Sequence, residues 1–522
     1  MKENGGTGSG TTAFTRAAPG ARALVGVERQ VDAGTHPDMA GILRQPALRR
    51  GAPQLEQPAD EGRLEAHLRH IDAARRALGD PALSRRLAAL AAVAPASSPV
   101  SMTLPLGNGQ NDWLGAVPEK GPWWYLANPE QGRWTLGLGA ALEYTSAGPG
   151  RFAALHNAAA GLFAVSRGDL APRLFFGFSF APESHDAPSA RLVLPALLLD
   201  CRAGSCTLTV TGLAPRACEI AAGAAKLLDH PDTRPAVPVV RLPRELPDRA
   251  WLARVRAALR AIAAGKAEKL VLARSAQLSG ERDIPPGPVL AALLARQPSC
   301  LTYAVGEGAE VFLGSTPESL VLFRAGIAQA DALAGTAWTA GGDAGSETLE
   351  CDKNRREQAH VVAAVAAALA DLCPEGVRAL PDEVLRLEHL SHRRTRLEGR
   401  PRPGTSLFDL IAALHPTPAV GGHPRAAALD WLRSHGEERP AWYSGGIGEI
   451  SADGDGEVAV ALRCAQLIGR EARLWAGAGI VAGSEPEREL AETEVKLRTL
   501  VDALCSPPVA ARGSSRSMAR EA

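Results

Sequence analysis

The stretch LWAGAGIVAGSEPERELAETEVKLRTL, residues 474–500, has the pattern of a strand, a turn and a helix. Gly477 and Gly479 lie two residues apart, so alternation along a strand places both on one face. Glycine weakens a strand and often marks a place where a ligand or another backbone comes close. After the turn, Pro486 suits the first turn of a helix. The stretch therefore predicts a strand that leaves room on one face, followed by a helix.

This helix carries two acids and a lysine on one face. Glu489, Glu492 and Lys496 fall at i, i+3 and i+7. Hard divalent cations prefer carboxylate oxygens, and Mg²⁺ commonly takes one or two of them. Half of a metal site is therefore one interpretation of the face. The other is a solvated face with an ordinary Glu492–Lys496 ion pair, and taken alone the stretch favours this second interpretation.

Composition narrows the class of protein. The chain has 522 residues, and 57 Lys+Arg balance 57 Asp+Glu, which leaves no global basic field of the kind that nucleic-acid binding uses. The 8 cysteines form no CxxC pair, which favours buried, reduced thiols over a disulfide framework or a zinc site. The first residues lack an apolar leader, and no apolar run reaches membrane-spanning length. We expect a soluble cytoplasmic protein that binds neither nucleic acid nor membrane.

The texture of the sequence divides the chain into five parts. Short apolar runs with turn signals, with helices between and after them, predict an α+β fold rather than a regular βαβ array. The composition at both ends predicts disorder. The predicted parts are a disordered extension (1–60), a helical extension (61–100), the N-terminal half of the β-rich core (101–240), a C-terminal half with the candidate site residues (241–506) and a disordered tail (507–522).

Two charged residues lie in apolar surroundings in the C-terminal half. Lys269 opens the apolar strand KLVLAR, where burial lowers the pKa of a lysine toward that of a useful base. Glu318 follows Pro317 in GSTPESLVL, where apolar neighbours raise the pKa of a carboxyl group and suit it to act as a general acid. The alternatives are a strand-end lysine that reaches solvent and a turn glutamate that points to water.

Two further residues fit an anionic ligand or a metal. Glu357 lies near the start of a long apolar helix and is either a second carboxylate of the metal site or a first-turn acid. Arg463 lies in the predicted strand 457–467, on a face of small residues that leaves room for a ligand carboxylate. No Walker loop, GxGxxG fingerprint or HExxH motif occurs, so neither a nucleotide cofactor nor zinc is indicated.

Ordered motifs extend this pattern across residues 252–504. They are AEKLVLARS, FLGSTPESL, LAGTAW, DKNRREQ, LEHLS, LHPTPAVGGHPR, SGGIGEI, ALRCAQL, AGAGIV and ELAETEVK. Together they resemble the chorismate-utilising enzyme family, which includes anthranilate, aminodeoxychorismate, salicylate and isochorismate synthases. Within that family the likeness to isochorismate synthases is greatest, because they have lysine where Lys269 stands and a similar segment at 415–420. The ammonia-using anthranilate type has glutamine at the lysine position, and salicylate and anthranilate synthases tend to have threonine near Ala419.

The resemblance implies a fold and a reaction. The fold would be a large two-sheet β-sandwich flanked by helices, with 241–506 as the chorismate-binding catalytic region. The reaction would be an isomerisation, in which water adds at C2 of chorismate and the C4 hydroxyl leaves. Lys269 would be the base that activates water and Glu318 the acid that protonates the departing hydroxyl. Glu357 and Glu492 would hold Mg²⁺, with Glu489 assisting them.

The same resemblance implies how the substrate is held. The enolpyruvyl carboxylate would contact Arg463, Tyr443 and the backbone near Gly477, and Lys496 would balance charge among the acids. The remaining contacts would come from His389, beside the ring carboxylate or the leaving hydroxyl, from the backbone N–H of Gly335 and from the segment around Ala419. Many relatives have histidine where this chain has Gln358, so the role of that histidine is not carried over.

Several alternatives stay open at this point. A salicylate synthase would follow isochorismate formation with loss of pyruvate. Anthranilate or aminodeoxychorismate synthase component I would use ammonia, and a catalytically inactive binding protein would bind chorismate without turnover. The sequence does not assign a menaquinone, siderophore or salicylate pathway. A monomer is expected.

Overall fold

The computed structural model describes residues 61–169, 172–183, 188–242, 248–338, 349–350, 352–437 and 439–505. The two terminal segments predicted to be disordered, 1–60 and 507–522, lie outside these residues. Within the described ranges, no helix is both long and apolar enough to cross a membrane. Six cysteines of the described ranges are free thiols, namely Cys201, Cys206, Cys300, Cys373, Cys464 and Cys505, and Cys505 is the exposed one among these six.

The described part of the chain alternates helices with groups of strands. The helices are α1 (Glu61–Leu78), α2 (Pro81–Ala92), α3 (Arg151–Val165), α4 (Ala217–Leu227), α5 (Asp248–Ala263), α6 (Pro286–Arg296), α7 (Asp352–Ala370), α8 (Leu407–Leu414), α9 (Arg425–Ser434) and α10 (Pro486–Cys505). The strands of the N-terminal half are β1 (Pro99–Asn108), β2 (Trp123–Asn128), β3 (Arg133–Ser146), β4 (Arg167–Gly168), β5 (Arg173–Phe178), β6 (Ala190–Arg202), β7 (Ser205–Leu213) and β8 (Val239–Arg241).

The C-terminal half contributes the larger number of strands. They are β9 (Lys269–Gly280), β10 (Leu301–Glu307), β11 (Glu310–Thr316), β12 (Ser319–Arg324), β13 (Ile327–Trp338), β14 (Val377–Ala379), β15 (Glu383–Arg386), β16 (Leu390–Gly399), β17 (Gly422–His423), β18 (Gly446–Ser451), β19 (Gly456–Val460), β20 (Cys464–Ile468) and β21 (Glu471–Val481). The predicted α+β class is confirmed.

The strands form two sheets that share one long strand. The first sheet has the order β4-β1-β7-β6-β3-β2-β10-β11-β20-β21-β9. The second sheet has the order β6-β5-β18-β19-β12-β13-β16. Pairing is antiparallel throughout these two series except between β1 and β4. The predicted two-sheet sandwich is therefore present, but its sheets are continuous through β6.

Aromatic side chains from both sheets fill the space between them. Trp124 of β2 stacks on Phe175 of β5, with ring centroids 5.8 Å apart. Trp124 also contacts Trp442, which lies just before β18, at 5.4 Å. Tyr303 and Trp475 belong to the same buried cluster. Burial of such large rings is a major source of stability, so this inner core fixes the spacing of the two sheets.

Helices cover the outer faces of the sheets. Helices α1, α2, α6 and α10 pack on the first sheet, and α3, α7 and α8 pack on the second. The break between α1 and α2 follows from local chemistry, because Asp80 caps α2 by accepting the N–H of Ala82. The helical stretch before residue 100 therefore shares its core with the β-rich region.

The predicted strand 457–467 is broken at Arg463. β19 ends at Val460 in the second sheet, and β20 begins at Cys464 in the first. Between them Arg463 has a φ of 48°, in the left-handed region that a side chain other than glycine seldom occupies. The prediction of one continuous strand with alternating faces along 457–467 was therefore wrong. The chain crosses from one sheet to the other here, and the crossing carries Arg463 to the site.

Candidate active site

One cavity, with a volume of about 150 Å³, brings together eleven of the twelve residues that the sequence predicted for the site. The residue that it leaves out is His389. The eleven residues come from strands, loops and helices spread over the C-terminal half: Lys269, Glu318, Gly335, Glu357, Ala419, Tyr443, Arg463, Gly477, Glu489, Glu492 and Lys496.

The two glycines of β21 make the floor of the cavity accessible. A Cβ atom at Gly477 would lie 3.0 Å from the Tyr443 hydroxyl and 3.1 Å from the Leu272 carbonyl oxygen. A Cβ atom at Gly479 would lie 2.7 Å from Cε of Lys269 and 3.5 Å from Oε1 of Glu357. The close approach predicted for this face is therefore confirmed, and it involves the site's own side chains as well as a backbone carbonyl.

Replacement of Gly479 by alanine is expected to impair the site more than the fold. The added methyl group would displace the Lys269 side chain, because 2.7 Å is shorter than any normal contact between carbon atoms. We expect kcat/KM to fall at least about tenfold for a misplacement of this kind, measured together with the melting temperature. Gly161→Ala is the control, because its Cβ meets nothing within 4 Å and should leave activity unchanged. An active Gly479→Ala variant would contradict this account of the glycine.

Lys269 is buried and forms an ion pair that the sequence did not predict. Its side chain is on the cavity face of β9, and the residue is only 6% exposed, so the solvent-reaching alternative was wrong. Its Nζ donates a hydrogen bond to Oε1 of Glu357 at 2.8 Å. Glu357 therefore projects from α7 into the cavity instead of serving only as a first-turn acid. The candidate base and one candidate metal ligand are in direct contact.

Glu318 is an enclosed residue of the cavity lining. It is 4% exposed, so the alternative of a solvated turn glutamate was wrong. Burial, with a further contribution from the nearby charge of Asp331, raises the pKa of Glu318 from 4.5 to about 7. The hydroxyl of Thr417 lies 3.5 Å from its Oε1. A carboxyl group in this setting holds its proton near neutral pH, as an acid catalyst requires.

Helix α10 presents its predicted acidic face to the cavity. Glu489 is buried, and Glu492 accepts a hydrogen bond from Lys496 at 2.7 Å. Lys496 also donates to the Gly477 carbonyl oxygen at 2.9 Å. The Glu492–Lys496 ion pair and the cavity-facing acids, which the sequence presented as alternatives, therefore occur together.

Glu357, Glu489 and Glu492 provide the oxygen donors that Mg²⁺ prefers. They do not form a tight preformed cage. Among the described residues, three acid, histidine or cysteine ligand atoms lie within 4.8 Å of one another only at Glu388, His389 and Asp502. Glu357 and Glu492 are instead held by lysines, at 2.8 and 2.7 Å. The donor set fits Mg²⁺, which would share the carboxylates of Glu357 and Glu492 with these lysines.

Arg463 is held at the cavity wall by a neutral histidine. Its Nη2 lies 2.8 Å from Nε2 of His392, and its Nη1 lies 3.4 Å from the Thr499 hydroxyl. Burial and the charge of Arg463 lower the pKa of His392 well below its ordinary value. The unprotonated Nε2 therefore accepts a hydrogen bond from the guanidinium group.

The prediction for His389 was wrong, and His392 takes its place at the cavity. His389 precedes β16 and its Nε2 lies 2.8 Å from Oδ2 of Asp502, at the end of α10. His392 lies within β16 opposite Thr336, beside the bulge at Gly335. The choice between the two histidines depends on the pairing of β16 with β13, for which the sequence has no local signal. Asn354 and Thr336 line the cavity as well and were also missed.

The remaining wall is aromatic and rigid. Tyr443 is buried and stacks on Trp475, with ring centroids 6.1 Å apart and an angle of 20° between the planes. Burial raises the pKa of Tyr443 to about 12, so its hydroxyl remains a hydrogen-bond donor at neutral pH. Gly335 has a φ of 68°, where glycine is favoured. The cavity thus combines cationic groups, acidic groups and a hydroxyl donor, which suits a small acidic substrate.

Comparisons of sequence agree with this geometry. The model of a family described as "Chorismate binding enzyme" matches residues 99–505. The chain is 39% identical over 264 residues to the "Salicylate biosynthesis isochorismate synthase" of Pseudomonas aeruginosa. The aligned region covers 49% of this chain and 55% of that protein. It is 34% identical over 271 residues to "Isochorismate synthase MenF" of Bacillus subtilis, with coverages of 51% and 58%. The chain thus spans little more than half the length of these curated relatives.

Comparisons of structure give the same grouping. MenF, the menaquinone-specific isochorismate synthase from Escherichia coli, has a TM-score of 0.69 and 26% identity, and the match covers 81% of this chain and 99% of that one. Anthranilate synthase component I from Streptococcus pneumoniae has a TM-score of 0.53 at 20% identity, with coverages of 70% and 80%, which shows a shared fold.

Proposed function

Because the chain belongs to the chorismate binding enzyme family, we propose that it is a Mg²⁺-dependent isochorismate synthase. Water would add at C2 of chorismate and the C4 hydroxyl would leave as water, so the net reaction is an isomerisation. The observation that carries the proposal is the meeting of Lys269, Glu318 and three glutamates in one cavity. Three of the four relatives compared above are named as isochorismate synthases, which supports the same reaction.

Two residues divide the proton transfers. Lys269, once its ammonium group has given up a proton, accepts one from the attacking water, and Glu318 delivers one to the departing C4 hydroxyl. The raised pKa of Glu318, about 7, supports its role as the acid. Lys269 has the fixed position that a base needs, because its strand backbone pairs with β21 and β17. In each turnover Lys269 gains one proton and Glu318 loses one. Both residues then return to their starting protonation states by exchanging protons with solvent.

The other groups bind and orient the substrate. Glu357, Glu489 and Glu492 would hold Mg²⁺, which when bound neutralises and orients the ring carboxylate of chorismate. Arg463 and the Tyr443 hydroxyl would bind the enolpyruvyl carboxylate. His392, held neutral by burial and by Arg463, adds no second positive charge and keeps the guanidinium in place.

The acid role of Glu318 predicts a pH dependence. Its pKa lies near 7 in the folded protein, above the ordinary 4.5, and the active form is the protonated one. We therefore expect the loss of the Glu318 proton to lower kcat/KM about tenfold per pH unit above about pH 7. Asp331→Asn should move this fall to lower pH, because the charge of Asp331 helps to raise the pKa of Glu318. A fall at the same pH in the residual activity of Glu318→Gln would assign it to another group.

A direct assay tests the function. Purified protein would be incubated with chorismate and Mg²⁺, and the products would be separated by liquid chromatography. Isochorismate as the sole product supports the proposal. Salicylate with pyruvate would identify a salicylate synthase, and amination that depends on ammonia would identify an anthranilate or aminodeoxychorismate synthase. Tight chorismate binding without any product would mean a catalytically inactive binding protein.

A further inference from the structure

We propose a second metal site, for a divalent transition metal such as Zn²⁺, formed by Glu388, His389 and Asp502 outside the cavity. One ligand atom from each residue lies within 4.8 Å of the other two. Nε2 of His389 is 2.8 Å from Oδ2 of Asp502 and 3.7 Å from Oε2 of Glu388. All three side chains are partly exposed, Glu388 at 28%, His389 at 21% and Asp502 at 33%, so an ion from solvent can reach them.

A buried carboxamide supplies an independent indication of a ligand. Gln297 is 2% exposed, and its Nε2 donates to Oε2 of Glu388 at 3.3 Å. Its Oε1 has no hydrogen-bond partner among the described residues, although a buried carbonyl oxygen of this kind is nearly always paired. Rotation of the carboxamide by half a turn would bring Oε1 to the position now held by Nε2, beside the Glu388 carboxylate. A shared cation would give that oxygen the partner that it lacks.

Arg296 holds one acid of the set in position. Its Nη1 donates to Oε1 of Glu388 at 2.6 Å, which leaves Oε2 directed toward His389 and Gln297. Groups that orient a ligand from behind in this way are common at metal sites and raise their affinity. The arginine therefore divides the carboxylate into an anchored oxygen and a ligand oxygen.

The types of donor atom indicate which class of metal the site would bind. One imidazole, two carboxylates and an amide oxygen suit Zn²⁺ and its first-row neighbours, whereas Mg²⁺ prefers oxygen alone. The cavity glutamates offer only oxygen, so the two sites differ in preference.

The position of the site suggests a structural role. It joins the end of α6, the turn before β16 and the last turns of α10. Glu492 lies ten residues before Asp502 on α10, about 15 Å along the helix. A metal at Asp502 would therefore tie down the helix that carries the cavity acids.

Zinc binding to the full-length protein tests this site. Metal-stripped protein would be titrated with ZnCl₂ by calorimetry, with millimolar Mg²⁺ present to occupy oxygen-only sites. We expect one equivalent of Zn²⁺ to bind, and His389→Ala and Asp502→Asn each to weaken binding at least about tenfold. Zn²⁺ should raise the melting temperature of the parent protein but not that of these two variants. His230→Ala, which removes an exposed histidine elsewhere, should change neither result.

Two outcomes would overturn the proposal. One is the absence of stoichiometric Zn²⁺ binding to the parent protein. The other is binding that survives both the His389 and Asp502 substitutions, or that is lost instead in Cys505→Ser, since Cys505 offers an exposed thiol on the same helix. Circular dichroism of each variant shows whether it is folded, and His389→Gln serves as a milder second variant.

Discussion

Lys269→Ala is expected to lower kcat by about 10³-fold, within the range that general-base catalysis contributes, and to leave chorismate affinity within a few-fold of the parent. The base acts in the chemical step, whereas binding rests on other groups such as Arg463 and Tyr443. Turnover would be measured by product chromatography, and affinity by calorimetry with chorismate in the presence of Mg²⁺.

The contact between Lys269 and Glu357 calls for a second variant. Lys269→Gln keeps an uncharged hydrogen-bond donor, on a side chain one bond shorter, on the side that faces Glu357, but removes the base. It should therefore be as inactive as Lys269→Ala. Lys266→Ala, three residues away and exposed, is the matched control and should be fully active. Loss of chorismate binding in step with turnover would contradict the assignment of Lys269 as base.

Removal of the metal should have an effect of similar size. We expect a chelator to abolish turnover and added Mg²⁺ to restore it, because Glu357, Glu489 and Glu492 would otherwise repel an acidic substrate. Glu492→Gln should raise the Mg²⁺ concentration for half-maximal activity by at least about 100-fold, the upper end of what loss of an outer-shell partner costs. Calorimetric titration with Mg²⁺ would give a readout that is independent of turnover.

The control for Glu492 lies on the same helix. Glu487 is exposed and pairs with Arg256 at the surface, so Glu487→Gln should respond to Mg²⁺ as the parent does. Full activity in a chelator, or an unchanged Mg²⁺ requirement in Glu492→Gln, would remove the glutamates from the proposed metal site.

Local patterns predicted much of the fold and the site. The stretch 474–500 contains most of β21 and most of α10, with its glycines and acids on the predicted faces. Period and spacing are local properties, and here tertiary structure did not override them. The same holds for Lys269, because its position at the start of an apolar strand indicated the burial that the structure shows.

What the sequence missed depends on contacts between distant segments. His392 was missed because strand register is set by the partner strand. The ion pair between Lys269 and Glu357 joins residues 88 positions apart. The break at Arg463 arises where the chain changes sheets, which no periodicity marks. The shared strand β6 likewise has the alternation of an ordinary strand, and its two roles follow only from its neighbours.

The sharing of β6 has a consequence for how the chain is divided. A proline-rich connection near residue 240 separates two halves of different texture, yet β2 pairs with β10 and β5 with β18 across it. Each half by itself would expose unpaired strand edges and one side of the aromatic interior. The segment from 101 to 240, which contributes none of the predicted catalytic residues, is thus an obligate part of the catalytic unit, and the two halves form a single folding unit.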